Sequence, residues 1–66
     1  MGRILEKYYD YAKKKGAYIL RMRLAMLTGW PTAKIHTLED SKANINKVRD
    51  VLKDLLKTDD IPHFES

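Results

Sequence analysis

Residues 24–40 read LAMLTGWPTAKIHTLED, and this stretch decides how the chain folds. Pro31 cannot continue the helix that precedes it, but the fixed φ of proline suits the first turn of a new helix. Gly29 adopts a positive φ at little cost, so the stretch predicts two helices joined by a tight turn. Ala25 is small enough for the two backbones to approach closely. The angle between the helices is expected to be filled by Leu24, Ile35 and Leu38.

The second of these helices is expected over residues 32–40, with short, polar or basic side chains toward solvent. They are Thr32, Ala33, Lys34, His36 and Thr37. An α-helix fits the major groove of duplex DNA, where the edges of all four base pairs can be distinguished. This outward face therefore suggests a helix that reads DNA.

The rest of the chain also reads as helical, which predicts an all-α domain of four, or at most five, short helices. Apolar residues recur at three- and four-residue steps in residues 3–15 and 43–57. Residues 18–28 alternate as a strand would, but their residue types favour helix, and Gly16 leaves open whether the first helix continues into them. In the last helix the polar side is expected to hold Lys47, Arg49, Asp50, Lys53, Asp54 and Lys57. A short acidic tail, 59–66, follows, whose Ile61 and Phe64 can fold back onto the core.

Composition limits the classes of protein that this chain can belong to. With 66 residues it forms one small domain, and without cysteine it has neither disulfides nor a thiolate zinc site. No apolar run approaches a membrane span, so a soluble cytoplasmic protein is expected. Residues 1–36 carry eight basic and two acidic side chains, a positive field suited to a polyanion. A domain this small also favours oligomerisation as a source of stability.

Nothing in the sequence points to catalysis or to a cofactor. It contains no glycine-rich phosphate loop, no activated nucleophile and no pair of carboxylates in an apolar setting. The two histidines, His36 and His63, lack partners for a metal site. We therefore expect no enzyme activity, no cofactor and no bound metal.

Residues 24–56 resemble the helix-turn-helix domain of the phage repressor/Cro (XRE-like) family. The resemblance rests on Leu24-Ala25, Gly29, Ile35 and Leu38-Glu39, followed by Asp40-Ser41-Lys42 where the family often has Asn-Gly-Lys. The chain departs from the family at Pro31, which stands where a capping Ser or Thr is usual, and at Trp30 in the turn. It also has only residues 59–64 where the family often has a fifth, dimer-forming helix.

The resemblance implies a lambda-repressor-like fold, with residues 1–66 as a single DNA-binding domain. It implies a sequence-specific transcriptional regulator, most simply a repressor, from a phage or other mobile element. Such a protein would act at the nucleoid as a homodimer on a two-fold operator. By position, the base contacts would be Thr32, Ala33, His36 and Thr37. The phosphate contacts would be Arg21, Arg23, Lys34, Lys42, Asn44, Asn46 and Lys47.

Two other functions fit the sequence in part. One is a protein-interaction module, in which residues 3–28 and 43–57 form a helical hairpin that dimerises into a four-helix bundle. That architecture needs residues 31–40 as an extended loop. The other is a basic amphipathic segment on anionic membranes, although its polar face would be mixed in sign.

Overall fold

The structure is a computed structural model that describes residues 3–64. This range contains four α-helices and no strand, which confirms the predicted all-α class. The helices are α1 (Arg3–Lys14), α2 (Leu20–Thr28), α3 (Thr32–His36) and α4 (Lys42–Leu56).

The first helix ends at a glycine turn, which answers the question that the sequence left open. Gly16 has φ +82°, and its amide donates to the carbonyl oxygen of Lys13 over 3.1 Å. The next amide, of Ala17, donates to the carbonyl of Ala12 over 2.8 Å. These two bonds form a Schellman motif, which closes α1 and turns the chain. Because the turn occupies the following residues, α2 begins at Leu20 and not at residue 18 as predicted.

The third helix is shorter than predicted, since α3 ends at His36 and the expectation was a helix to residue 40. The residues after His36 instead bind the first turns of two other helices. Both carboxylate oxygens of Asp40 accept hydrogen bonds from the first turn of α1, and the Ser41 hydroxyl caps α4. Ser41, the N-cap of α4, has an extended backbone, so α3 cannot continue through it.

The core lies between α1, α2 and α4, and α3 adds one side chain to it. Leu24, Ile35 and Leu38 are all buried, as the sequence predicted for the angle between the two helices. The other buried apolar residues are Leu5, Tyr8, Tyr9, Ala12, Ala17, Leu20, Ile45, Val48, Val51, Leu52 and Ile61.

The prediction that Arg49 lies on the polar side of α4 is wrong, because it is only 8% exposed. Its guanidinium donates to the Tyr8 hydroxyl at 3.2 Å, to the carbonyl of Ile61 at 3.0 Å and to the carbonyl of Pro62. A buried charge needs such partners to replace water. Arg49 therefore ties α4 to α1 and to the C-terminal segment.

The C-terminal segment folds back onto the core, as predicted. Ile61 is buried, and the ring of Phe64 meets that of Tyr8 edge-on with 4.8 Å between centroids. The Phe64 amide also donates to the Tyr8 hydroxyl over 3.2 Å. The last two residues of the predicted tail, 65 and 66, lie outside the described range.

Candidate nucleic-acid interface

The turn before α3 is built as the sequence predicted. Gly29 has φ +76°, and its amide completes the last turn of α2 by donating to the Ala25 carbonyl over 2.9 Å. The Thr28 hydroxyl donates to the Leu24 carbonyl over 2.7 Å and accepts from the amide of Trp30 over 3.1 Å. These bonds fix the direction in which the chain leaves α2, and so the direction of α3.

Pro31 occupies the N-cap position of α3 with an extended backbone and provides no side-chain cap. The loss of the capping bond, expected from this departure, is confirmed. The Pro31 carbonyl instead accepts from the amides of Lys34 and Ile35 at 3.0 and 3.2 Å. Only one turn of helix follows, and its inner side is anchored by the buried Ile35.

The four residues predicted to contact bases are all exposed, but they do not share one element. Thr32, Ala33 and His36 lie on α3. Thr37 follows the helix as its C-cap, and its hydroxyl donates to the Ala33 carbonyl over 2.9 Å. The hydroxyl hydrogen of Thr37 is therefore used within the protein, and the hydroxyl oxygen keeps its capacity to accept a hydrogen bond.

Two of the predicted phosphate contacts come together at Trp30. The ammonium of Lys34, on α3, lies 4.4 Å from the centroid of the indole ring, and that of Lys47, on α4, lies 5.6 Å away. The ring itself is half-buried and packs against the core. An aromatic face attracts cations and holds them in place. Two positive charges, one from α3 and one from α4, therefore lie at the Trp30 ring.

The other predicted contacts on α4 lie at its beginning. Lys42 is its first residue, and Lys42 and Asn46 are exposed. Asn44 is half-buried, and its side-chain amide donates to the Glu39 carbonyl over 3.0 Å. The Ser41 hydroxyl accepts from the backbone amide of Asn44 over 3.1 Å. Asn44 therefore helps to fix the loop between α3 and α4.

The two arginines of α2 are not part of the Trp30 cluster. The guanidinium of Arg21 lies over the ring of Tyr9, 4.5 Å from its centroid. Burial raises the pKa of the Tyr9 phenol, and the positive charge of Arg21 opposes that rise. Arg23 is half-buried among exposed apolar side chains of α2. Arg21 and Arg23 were predicted to contact phosphate, but their surroundings differ from those of Lys34 and Lys47.

Asp40 and Arg49 lie outside the exposed face of α3, and the sequence did not predict the structural role of either. The two oxygens of Asp40 accept from the amides of Ile4 and Leu5, each at 3.0 Å, and so cap α1 from the loop after α3. No local pattern could reveal a cap across more than thirty residues. For Arg49 a signal existed, since it lies four residues after Ile45 and three before Leu52, on the apolar stripe of α4.

Within residues 3–64, no helix has the length and apolar character required to cross a membrane. No group of three or more His, Cys, Asp or Glu side chains in the same range is arranged to hold a metal ion.

Comparison with protein-family models, with curated proteins and with solved structures found no match to this chain.

Proposed function

We propose that this protein binds duplex DNA sequence-specifically, with α3 in the major groove, and acts as a transcriptional regulator. The observation that supports this most is the surface around Trp30. There, a helix fixed by the Gly29 turn exposes short side chains, and the ammoniums of Lys34 and Lys47 lie beside it. Short polar and methyl groups can reach base edges, while lysines contact the phosphates on either side.

The small size of α3 supports the binding of DNA by two copies of the protein. A helix as short as α3 offers few base contacts, and none of its exposed residues makes the strong arginine–guanine or asparagine–adenine pair. Discrimination per base pair should therefore lie near the lower end of about 1–3 kcal/mol. Two copies on half-sites one helical turn apart double the contacts, so we propose a homodimer on a two-fold operator. Occupying such a site is enough for repression.

The hairpin alternative does not describe this fold, because it needs residues 31–40 extended and α3 occupies five of them. The idea of a protein partner keeps some support from a different feature, the exposed apolar side chains of α2.

Selection of binding sites from random duplexes, followed by a salt titration on the selected site, tests the proposal. Log affinity should fall linearly with log salt, with a slope of about 0.9 for each phosphate neutralised. Lys34→Gln and Lys47→Gln should weaken binding to all sequences alike and each reduce that slope by about one. His36→Ala should change the preferred sequence and leave the slope unchanged.

The matched control is Lys13→Gln, which removes one positive charge from the end of α1, outside the proposed surface. It should alter neither the slope nor the preference. An affinity that does not respond to salt, or a random pool that yields no preferred sequence, would overturn the proposal.

A further inference from the structure

The outer side of α2, together with the two residues before it, is an exposed apolar patch that no residue in the range 3–64 covers. Its members are Tyr18, Ile19, Met22, Met26 and Leu27, and they are between 46% and 76% exposed. The side of the same helix that carries Leu20 and Leu24 is buried in the core. A helix that is apolar on both sides belongs in an environment where both sides are covered. The described part of the chain covers only one of them.

The size of this patch matches one half of a protein interface. If each of these residues has a full surface of about 200 Å², the exposed part amounts to roughly 600 Å². The largest apolar patch on a typical monomer is about 300–600 Å². A stable interface buries about 600–1,000 Å² on each partner. The α2 patch therefore lies at the upper end of the patches found on typical monomers and at the lower limit of what a stable dimer buries on each partner.

We propose that a second copy of this chain covers the α2 patch, with the two α2 helices packed against each other about a two-fold axis. A two-fold interface requires only that one patch fit itself. Two flexible methionines near its centre allow that fit, because methionine adapts to irregular surfaces. Burial of the patch also supplies stability that a core of this size lacks.

This inference deepens the proposed function and rests on it for the two-fold symmetry of the pair. The protein measures 27 × 25 × 18 Å. Two copies in contact can therefore hold equivalent helices about 34 Å apart, the spacing of half-sites separated by one turn of DNA. Because α2 leads directly through Gly29 into α3, an interface on α2 would fix the distance between the two α3 helices.

The effect of salt on binding distinguishes a second copy of this chain from other partners of the α2 patch. Neither the first nor the last turn of α2 has an acidic residue, and Arg23 shares the side of the helix that holds Ile19 and Leu27. Two copies bring like charges together, so added salt should strengthen the dimer by screening their repulsion. An acidic partner protein, or DNA, would bind this basic chain less tightly as salt rises.

Analytical ultracentrifugation of the protein without DNA tests the proposal, over a range of protein concentrations and between about 50 and 200 mM salt. The wild type should form a dimer whose dissociation constant falls as salt rises. Met26→Asp should raise that constant at least about tenfold, since each dimer would bury the new charge twice. Met22→Lys tests the same contact if the first variant fails to fold, as judged by circular dichroism.

The matched control is Ala43→Glu, which adds one charge at an exposed position of α4 and should leave the dimer unchanged. A wild type that stays monomeric, or a Met26→Asp variant that dimerises as the wild type does, would overturn the inference. Because no DNA is present, a dimer lost on Met26→Asp supports the interface even where DNA binding fails. A monomer that binds DNA would overturn only the interface.

Discussion

Replacement of Arg49 by methionine should release the C-terminal segment and destabilise the whole protein. Methionine keeps the length and apolar contacts of the side chain but none of its hydrogen bonds to Tyr8, Ile61 and Pro62. A hydrogen bond to a charged group contributes about 1.5–3 kcal/mol to stability. Release of the segment lets water reach the freed carbonyls, and methionine fills part of the space. We therefore expect the free energy of unfolding to fall by about 3 kcal/mol.

Urea denaturation followed by circular dichroism measures this loss for the wild type and Arg49→Met. Hydrogen exchange at the amides of Ile61 and Phe64 shows whether the segment has detached, since both amides are hydrogen-bonded in the folded protein. Lys42→Met, which removes an exposed cation from the same helix, is the control and should change stability by less than about 0.5 kcal/mol. A similarly small change for Arg49→Met, or unchanged exchange at Phe64, would refute the assigned role.

Four other predictions concern single positions. Asp40→Ala should destabilise the protein by about 1–2 kcal/mol and speed amide exchange in the first turn of α1, whose amides lose their cap; unchanged exchange there would count against it. Gly29→Ala should lower the free energy of unfolding by about 1 kcal/mol, because φ is +76°. The loss should be no larger, since no atom lies near the added Cβ. Lys57→Gly, at φ +53°, should stabilise by up to about 1 kcal/mol in the same denaturation experiment. The raised pKa of Tyr9 means that the unfolded chain loses this proton first, so stability should fall as pH rises above about 10. Tyr9→Phe should lack that component of the decline when unfolding is measured from pH 9 to 11, whereas equal declines would contradict the assignment.

The sequence predicts those parts of the fold that depend on local patterns. The steps from Ile45 to Leu52 define one side of a helix, and the turn at Gly29 follows from the conformations open to glycine and to the proline two residues later. Both predictions are confirmed, because they require only neighbours along the chain.

Two of the errors concern residues whose partners are distant in sequence. The length of α3 depends on Asp40, which leaves the helix to bind amides at the other end of the chain. Arg49 is buried because carbonyl groups of the C-terminal segment come to meet it. For the candidate site, exposure of Thr32, Ala33 and His36 could be predicted from helical spacing. The meeting of Lys34 and Lys47 at one ring could not, since it depends on how α3 packs beside α4.

The position of Trp30 makes the unlabelled protein its own optical reporter. The chain has one tryptophan, so all indole emission arises from the ring faced by Lys34 and Lys47. Anything that draws those two amines away, or excludes solvent from the half-buried edge of the ring, changes the intensity or wavelength of that emission. A titration in a fluorimeter therefore follows events at this surface directly, with wild-type protein and no attached dye.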